Sequence, residues 1–474
     1  MNQPATPTAG TRPGRTNAEL WIITAALVLT YAAYLSPLAL AVMVGGLVFG
    51  LAAMRFRPLL LAVLFLLPIN PYLSWDLPIK DLGTLVRICL FVGVLIARQR
   101  SGESPWAWLF SGWVTRVILG YFTVAVLASV VFNPPTLTVA RELMRFVSYL
   151  CFYYTVVDWV RTENDFKAVV NTLMFSTIGA TIFGLYQYMI GDYSSLYDAL
   201  YPIQEEALKN PPFEGRITSF LSHYNSLAGY LNMVIPFAIA SALKARDEFT
   251  RVAGQICFVM ASLAMVLTQS RGGLLAYVAV LVMSAYYLAP DRKARRRWVA
   301  TILITCFVGA ILIGLVFTRL AGVDQFTEIT RLGIWAGAGL IFLSHPIAGI
   351  GYGNFKTVLT ETIRVPEGFM LDAHNLYMEL LAETGILGFF AFLVLAGTVM
   401  RRAIRMYSQS RSVMDAVVSF GVATAVMSVM AHGAVDYLFH NSPQFAALFF
   451  LLLGLLRANE IKREKMQINQ PASS

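Results

Sequence analysis

The stretch Gly385-Ile-Leu-Gly-Phe-Phe-Ala-Phe-Leu-Val-Leu-Ala-Gly-Thr-Val-Met400, closed by Arg401, Arg402 and Arg405, sets the reading of the chain. An uncharged apolar run that stops on clustered arginines reads as a membrane span ending at its cytosolic boundary. The pattern recurs in both directions. Arg55 and Arg57, Arg98 and Arg100, Arg161 and Lys167, then Lys244, Arg246 and Arg251 occupy alternate loops upstream, followed by a cluster from Arg292 to Arg297. Arg457, Lys462, Arg463 and Lys465 close the series, so both termini are expected on the cytosolic side.

Composition agrees. Hydrophobic residues make up 57% of the 474, charged residues only 13%, and the mean hydropathy is +0.64, which excludes a single soluble core. The net charge of +9 is distributed over short inter-span clusters, so it reads as topology rather than as a nucleic-acid face. Spans are expected to open near residues 19, 37, 58, 83, 113, 139, 167, 225, 249, 272, 298, 385, 414 and 441. The predicted fold is an all-α polytopic membrane protein with about 12–14 transmembrane helices. Its parts are a polar N-terminus (1–18), an N-terminal bundle of about seven spans (19–190), a long outward loop (191–224), central helices (225–317), a larger outward loop (318–384), C-terminal helices (385–457) and a polar tail (458–474). Within the larger loop, Leu332 to Ser344 is apolar but too short to cross, and reads as an interfacial or re-entrant helix. Cys89, Cys151, Cys257 and Cys306 fall inside apolar runs with no ligand spacing, which predicts buried thiols rather than disulfides or zinc.

All five histidines fall on the outward side, together with the arginines of the most distinctive loops. Arg216 precedes the span that opens with His223, Tyr224 and Asn225; snorkelling to headgroups would explain its position equally well. Arg271, in Thr268-Gln-Ser-Arg-Gly-Gly273, has almost no loop in which to place a charge between two spans, which makes it a functional candidate; the alternative is a plain turn with a snorkelling arginine. In Leu371-Asp-Ala-His-Asn-Leu-Tyr377, Asn375 is a helix N-cap, and the helix dipole would keep His374 neutral as a base. Asp372 is near enough in sequence to orient that ring. His223, His345, His432 and His440 read as capping or packing residues at span ends. Gly349-Ile-Gly-Tyr-Gly-Asn-Phe355 resembles a phosphate cradle without the strand or lysine of one, and alone reads as a turn. No HExxH, Cys/His cluster or Asp-x-Asp pair is present, so no metal and no cofactor is expected. An arginine fork can replace a divalent ion on a diphosphate.

Gly215-Arg216, the stretch Ser219 to Tyr230, Ser270-Arg-Gly-Gly273, Arg331 with Trp335, the stretch His345 to Phe355 and Ala373-His-Asn-Leu-Tyr through Gly388 together resemble the O-antigen ligase and polymerase superfamily, over roughly residues 210 to 400. The resemblance implies a bacterial inner-membrane inverting glycosyltransferase with a periplasmic site. It would pass a glycan from undecaprenyl diphosphate to a lipid A core, a protein or a growing glycan, without metal, amid membrane lipids and with no nucleic acid. It implies Arg216 and Arg271 as the diphosphate clamp and His374 as the base, with Arg331, Asn375, Tyr377, Asp372, His223 and Gly351 as substrate contacts. Ligase is the leading reading, an O-antigen or exopolysaccharide polymerase the alternative. A secondary transporter is the remote one, resting only on Glu142 and Arg145, which are spaced to pair at (i, i+3).

Overall fold

The computed structural model describes residues 37–70, 81–104, 108–130, 136–191, 215–305, 325–363 and 372–468. The span expected near residue 19, most of the first long loop, and Cys306 lie outside the described residues. Every element that follows is helical: α1 Pro37–Ala53, α2 Pro58–Phe65, α3 Leu82–Arg100, α4 Trp113–Val130, α5 Leu137–Trp159, α6 Glu163–Ile190 and α7 Tyr224–Lys244. Then come α8 Glu248–Thr268, α9 Arg271–Leu288, α10 Gln325–Ser344, α11 Phe355–Ile363, α12 Leu376–Ser408, α13 Val413–Gly433 and α14 Pro443–Ile468. The protein is an all-α polytopic membrane protein, and nine helices among the described residues are long and apolar enough to cross a bilayer.

Polar side chains fix the helix starts. Thr136, Thr162, Asp247, Ser270, Asn375 and Ser412 each accept a backbone N–H of the first turn, and Thr162 with Asp165 forms a capping box. Each cap removes one orphan donor, worth about 1 kcal/mol. The buried centre is α7, α13 and α14: 89%, 83% and 94% of their apolar windows are enclosed, against 33–39% for α3, α8 and α9, whose outer faces are left for lipid. α7 packs on α8 and α13, α14 on α5, α12 on α4 and α13, and α3 on α5.

Three elements differ from the sequence expectation. The span expected near residue 58 is only an eight-residue helix followed by turns, because Pro68 cannot continue it. The apolar run beginning at Leu332 belongs to a twenty-residue helix whose first turns, from Gln325, are polar. Its apolar part, Arg331–Ser344, is too short to cross, as expected. α12, which Asn375 opens, is not one continuous helix but is broken at Gly385, with φ 61° and ψ −165°. Only glycine fits there, since a Cβ would lie 2.3 Å from the Ile347 carbonyl oxygen.

The bundle has two chemically distinct ends. α3, α5 and α14 start together and run the same way. Near their starts lie Asp81, Glu142 and Arg145, with Arg145 Nε 3.6 Å from Asp81 Oδ2. At their far ends lie Arg98, Asp158, Arg161, Lys462 and Lys465, which surround one cavity. The lysine- and arginine-rich loops gather at that far end, where Arg57 meets Asp165, Lys167 meets Asp247 and Arg402 meets Glu460.

Candidate active site

The near end is assembled from four chain segments. The first is Gly215-Arg216. Gln269, in the left-handed region at φ 52°, donates from Nε2 to the Gly215 carbonyl at 2.9 Å, and Ile217 N–H donates to the Leu267 carbonyl at 3.3 Å. Ser219 N–H is held by Gln187 Oε1 at 2.8 Å. The turn carrying Arg216 is thereby tied to the turn that delivers Arg271. The Arg216 guanidinium carbon lies 4.7 Å from the centre of the Tyr224 ring, at the start of α7.

The second segment is that turn itself. Ser270 caps α9, which puts exposed Arg271 at its first position. Gly272 follows because a Cβ there would lie 2.4 Å from Val435 Cγ2 and 2.9 Å from the His432 ring. This close approach sets Arg271 against the segment that leaves α13.

The third and fourth segments meet at His374. Its backbone is left-handed, at φ 46°, and Asn375 caps α12 while its amide donates to the Ala434 carbonyl at 2.9 Å. That link draws the loop after α13 across, and His374 Nδ1 lies 3.2 Å from Asp436 Oδ1. Burial alone would raise the Asp436 carboxyl, but the His374 hydrogen bond and the neighbouring His432 and His223 rings more than offset it, and the group is held below the usual carboxylate range. An ionised Asp436 favours the imidazole tautomer with its proton on Nδ1, which leaves Nε2 a free lone pair. His223 stands in the same electrostatic neighbourhood as Asp436, His374, Asp372 and Arg216; burial lowers it to about 4, so it is neutral near pH 7. Its Nδ1 accepts Asn225 N–H at 3.0 Å, a capping role as expected.

The remaining expected contacts fall around this centre. Asp372 does not hold the His374 ring: it pairs with Lys356 Nζ at 2.9 Å and accepts from Asn441 at 2.8 Å, and Asp436 takes the orienting place. Burial disfavours the Lys356 ammonium, yet Asp372 raises it above its ordinary value. Tyr377 OH donates to the Met430 carbonyl at 2.7 Å. Trp335 Nε1 donates to the Ala373 carbonyl at 2.7 Å, and Arg331 lies one turn earlier on that helix, its buried Nε without a hydrogen-bond partner. Gly351, at φ 95°, directs its N–H to the Glu383 carbonyl at 2.8 Å. Its neighbours Ile350, Tyr352 and Phe355 likewise donate to protein acceptors, so the glycine stretch is a strut against α12 rather than a cradle of spare N–H groups.

The strut encloses a group the sequence reading did not assemble. Glu379, Glu383 and His440 bring one ligand atom each to within 4.8 Å of one another, a set able to hold a metal ion. Their present bonds are structural, because Glu379 accepts Ala373 N–H at 3.2 Å and Glu383 accepts Phe355 N–H at 3.3 Å. His440 is pushed down to about 3 by burial and by Arg145 and Lys356, so it is neutral near pH 7.

The fold and this end of it define a multi-pass membrane protein with a histidine–carboxylate pair beside two arginine-bearing turns. Residues 256–393 match the family model described as O-Antigen ligase. The matched segment contains Arg271, Arg331, Gly351, Asp372, His374, Asn375 and Tyr377, while Arg216, His223 and Asp436 lie outside it. No curated protein matches the chain. Asp436 and Lys356 were not singled out from sequence. The one available signal for Asp436 was its place four residues after His432, at the outward end of a span.

Proposed function

We propose that this chain is an O-antigen ligase type glycosyltransferase, moving a glycan from undecaprenyl diphosphate to an acceptor hydroxyl at the periplasmic face of the bacterial inner membrane. The observation that carries the reading is the His374–Asp436 contact at 3.2 Å, held at the end of the bundle that also presents Arg216 and Arg271. The Lys/Arg-rich loops at the opposite end support this sidedness, since the positive-inside rule favours the cytosol for such loops.

The chemistry is a single displacement. His374 Nε2 takes the acceptor hydroxyl proton, the acceptor oxygen attacks the anomeric carbon, and the bond from that carbon to the phosphate oxygen breaks. Undecaprenyl diphosphate leaves with the electron pair and the configuration inverts. Asp436 stabilises the imidazolium as it forms. Arg216 and Arg271 pair with the diphosphate oxygens through permanently charged forks, so the leaving group departs without a proton and without a divalent ion. Arg331, one turn from the Trp335 anchor beside Ala373, is placed to extend the clamp.

The deciding assay incubates purified protein with a defined polyprenyl-diphosphate oligosaccharide, with and without lipid A core, and sizes the products. A single addition to lipid A core, lost in His374→Ala, is the expected result. A ladder made from the donor alone would make the chain a polymerase, and no transfer at all would remove the enzymatic reading.

A further inference from the structure

At the end of the bundle remote from His374, α3, α5 and α14 leave a cavity of about 300 Å³ between their last turns. Along α5 this cavity lies about 30 Å from the near end, at 1.5 Å per residue. It is amphipathic. Arg98, Arg161, Lys462 and Lys465 line it against only two acids, Glu103 and Asp158, while Val157, Val160, Ala458 and Ile461 supply an apolar wall. Both acids already bridge cations: Arg98 NH1 lies 2.9 Å from Glu103 and 2.7 Å from Asp158, and Arg161 lies 2.7 Å from Asp158. Lys462 is bonded to Glu163 and packs over the Phe166 ring. Trp108 closes one side with the Arg98 guanidinium carbon 4.8 Å from its ring centre, as tryptophan does at a headgroup boundary.

We propose that this cavity binds the headgroup phosphate of an anionic lipid, with the glycerol end of the lipid against the aliphatic wall. Two features separate it from an ordinary insertion signal. Its cations are gathered around one half-open hollow rather than spread over a loop. The apolar wall has no use for a free ion and fits a ligand that is charged at one end and greasy at the other. Nothing in the glycan-transfer chemistry uses these residues.

The test is native mass spectrometry of the detergent-purified chain titrated separately with phosphatidylglycerol, with phosphatidylethanolamine of the same acyl chains, and with inorganic phosphate. Phosphatidylglycerol is expected to bind more tightly than either other probe. The Arg161→Gln/Lys465→Gln double variant should weaken it by roughly thirtyfold, about fivefold for each basic side chain removed. The charge-matched Arg401→Gln/Arg405→Gln variant, altered on exposed positions near the same end, should bind as the parent does. If the double variant does not fold, Lys465→Gln alone should show the fivefold loss. Equal binding of the two phospholipids, or an unchanged affinity in the cavity variants, overturns the proposal. Inorganic phosphate binding as tightly as phosphatidylglycerol makes it a simple anion site and overturns the lipid assignment.

Discussion

At the start of α5, Glu142 pairs with Arg145 at 2.7 Å, and the chain around them brings together three histidines, two arginine-bearing turns and Asp436. At the other end of the same helix, Asp158 takes both Arg98 and Arg161 at 2.7 Å, and Glu103 also pairs with Arg98. Both ends are rich in ionisable groups, yet they differ in what those groups still have to offer. At the far end most charges answer charges, and what is left over around the cavity is cationic. At the near end burial keeps His223 neutral, and the Asp436 carboxylate faces the His374 ring rather than a lysine or arginine. Enumerating charged residues therefore says little about where chemistry happens; their pairing says more.

The largest expected contrast is kinetic. His374→Ala should cut glycan transfer by roughly 10²- to 10⁴-fold, the usual contribution of a positioned base. The ring is 28% exposed with one side-chain contact, so the melting temperature should stay near that of the parent protein. A parental transfer rate in a well-expressed variant would remove His374 from the base role. Next is a structural lesion without chemistry. Gly385→Ala forces a Cβ to 2.3 Å from the Ile347 carbonyl oxygen at a φ of 61°, and should destabilise by about 3 kcal/mol or more, read as a lower melting temperature and a poorer yield of monodisperse protein. Asp436→Asn comes third. It keeps the shape but removes the charge that selects the His374 tautomer, so kcat should fall about 10²-fold with KM nearly unchanged. A proportional rise in KM would instead point to a role in substrate binding.

How much of this was legible beforehand follows from the range of each interaction. The spans were legible because a bilayer demands about twenty apolar residues, a local property of the chain. Caps were legible for the same reason: Asn375 opens α12 as its position indicated. Where locality fails, so does the reading. Asp436 lies 62 residues from His374 and is brought to it by tertiary links such as Asn375–Ala434 and Tyr377–Met430. The nearer acid, Asp372, is drawn off by Lys356, which belongs to a different helix. Glu142 and Arg145 do pair at (i, i+3) as expected, but within the first turns of α5 and beside Asp81, not in isolation at mid-membrane where a transport site would place them. The glycine stretch 349–355 is a strut because its N–H groups find partners on α12 and α4, a fact no local motif records.

The two ends should also separate in their response to acid. An unfolded histidine titrates near 6.5, whereas folded His223 titrates near 4, so between these values the unfolded chain binds more protons. Stability is then complete above about pH 6.5 and falls as the pH drops towards 4. His440, held near 3, acts in the same sense. For His223 the effect is roughly 2 kcal/mol, reduced from the full shift because its ring partly meets solvent. His223→Asn keeps a capping oxygen but cannot titrate, so its melting temperature should vary less between pH 6.5 and 4 than that of the parent. An identical pH dependence in the variant would mean that the ring is not protected in solution.

The smallest expected effect sharpens the contrast from the other side. Arg57 Nη1 lies 3.2 Å from Asp165 Oδ1 at the far end, but its side chain is 61% exposed. An exposed pair gains little in a high dielectric and loses side-chain entropy to hold its geometry, so its worth is about 0.5 kcal/mol or less. Asp165 keeps its other bonds when the guanidinium is removed, because its second oxygen accepts Arg161 and Thr162 N–H at 3.0 and 2.8 Å in the capping box. Arg57→Ala should therefore leave both transfer activity and melting temperature close to parental values, at low and at high salt alike. A marked loss of stability that salt reproduces in the parent would show that the far-end ion pairs act as a cooperative network, and the contrast between the two ends would have to be redrawn.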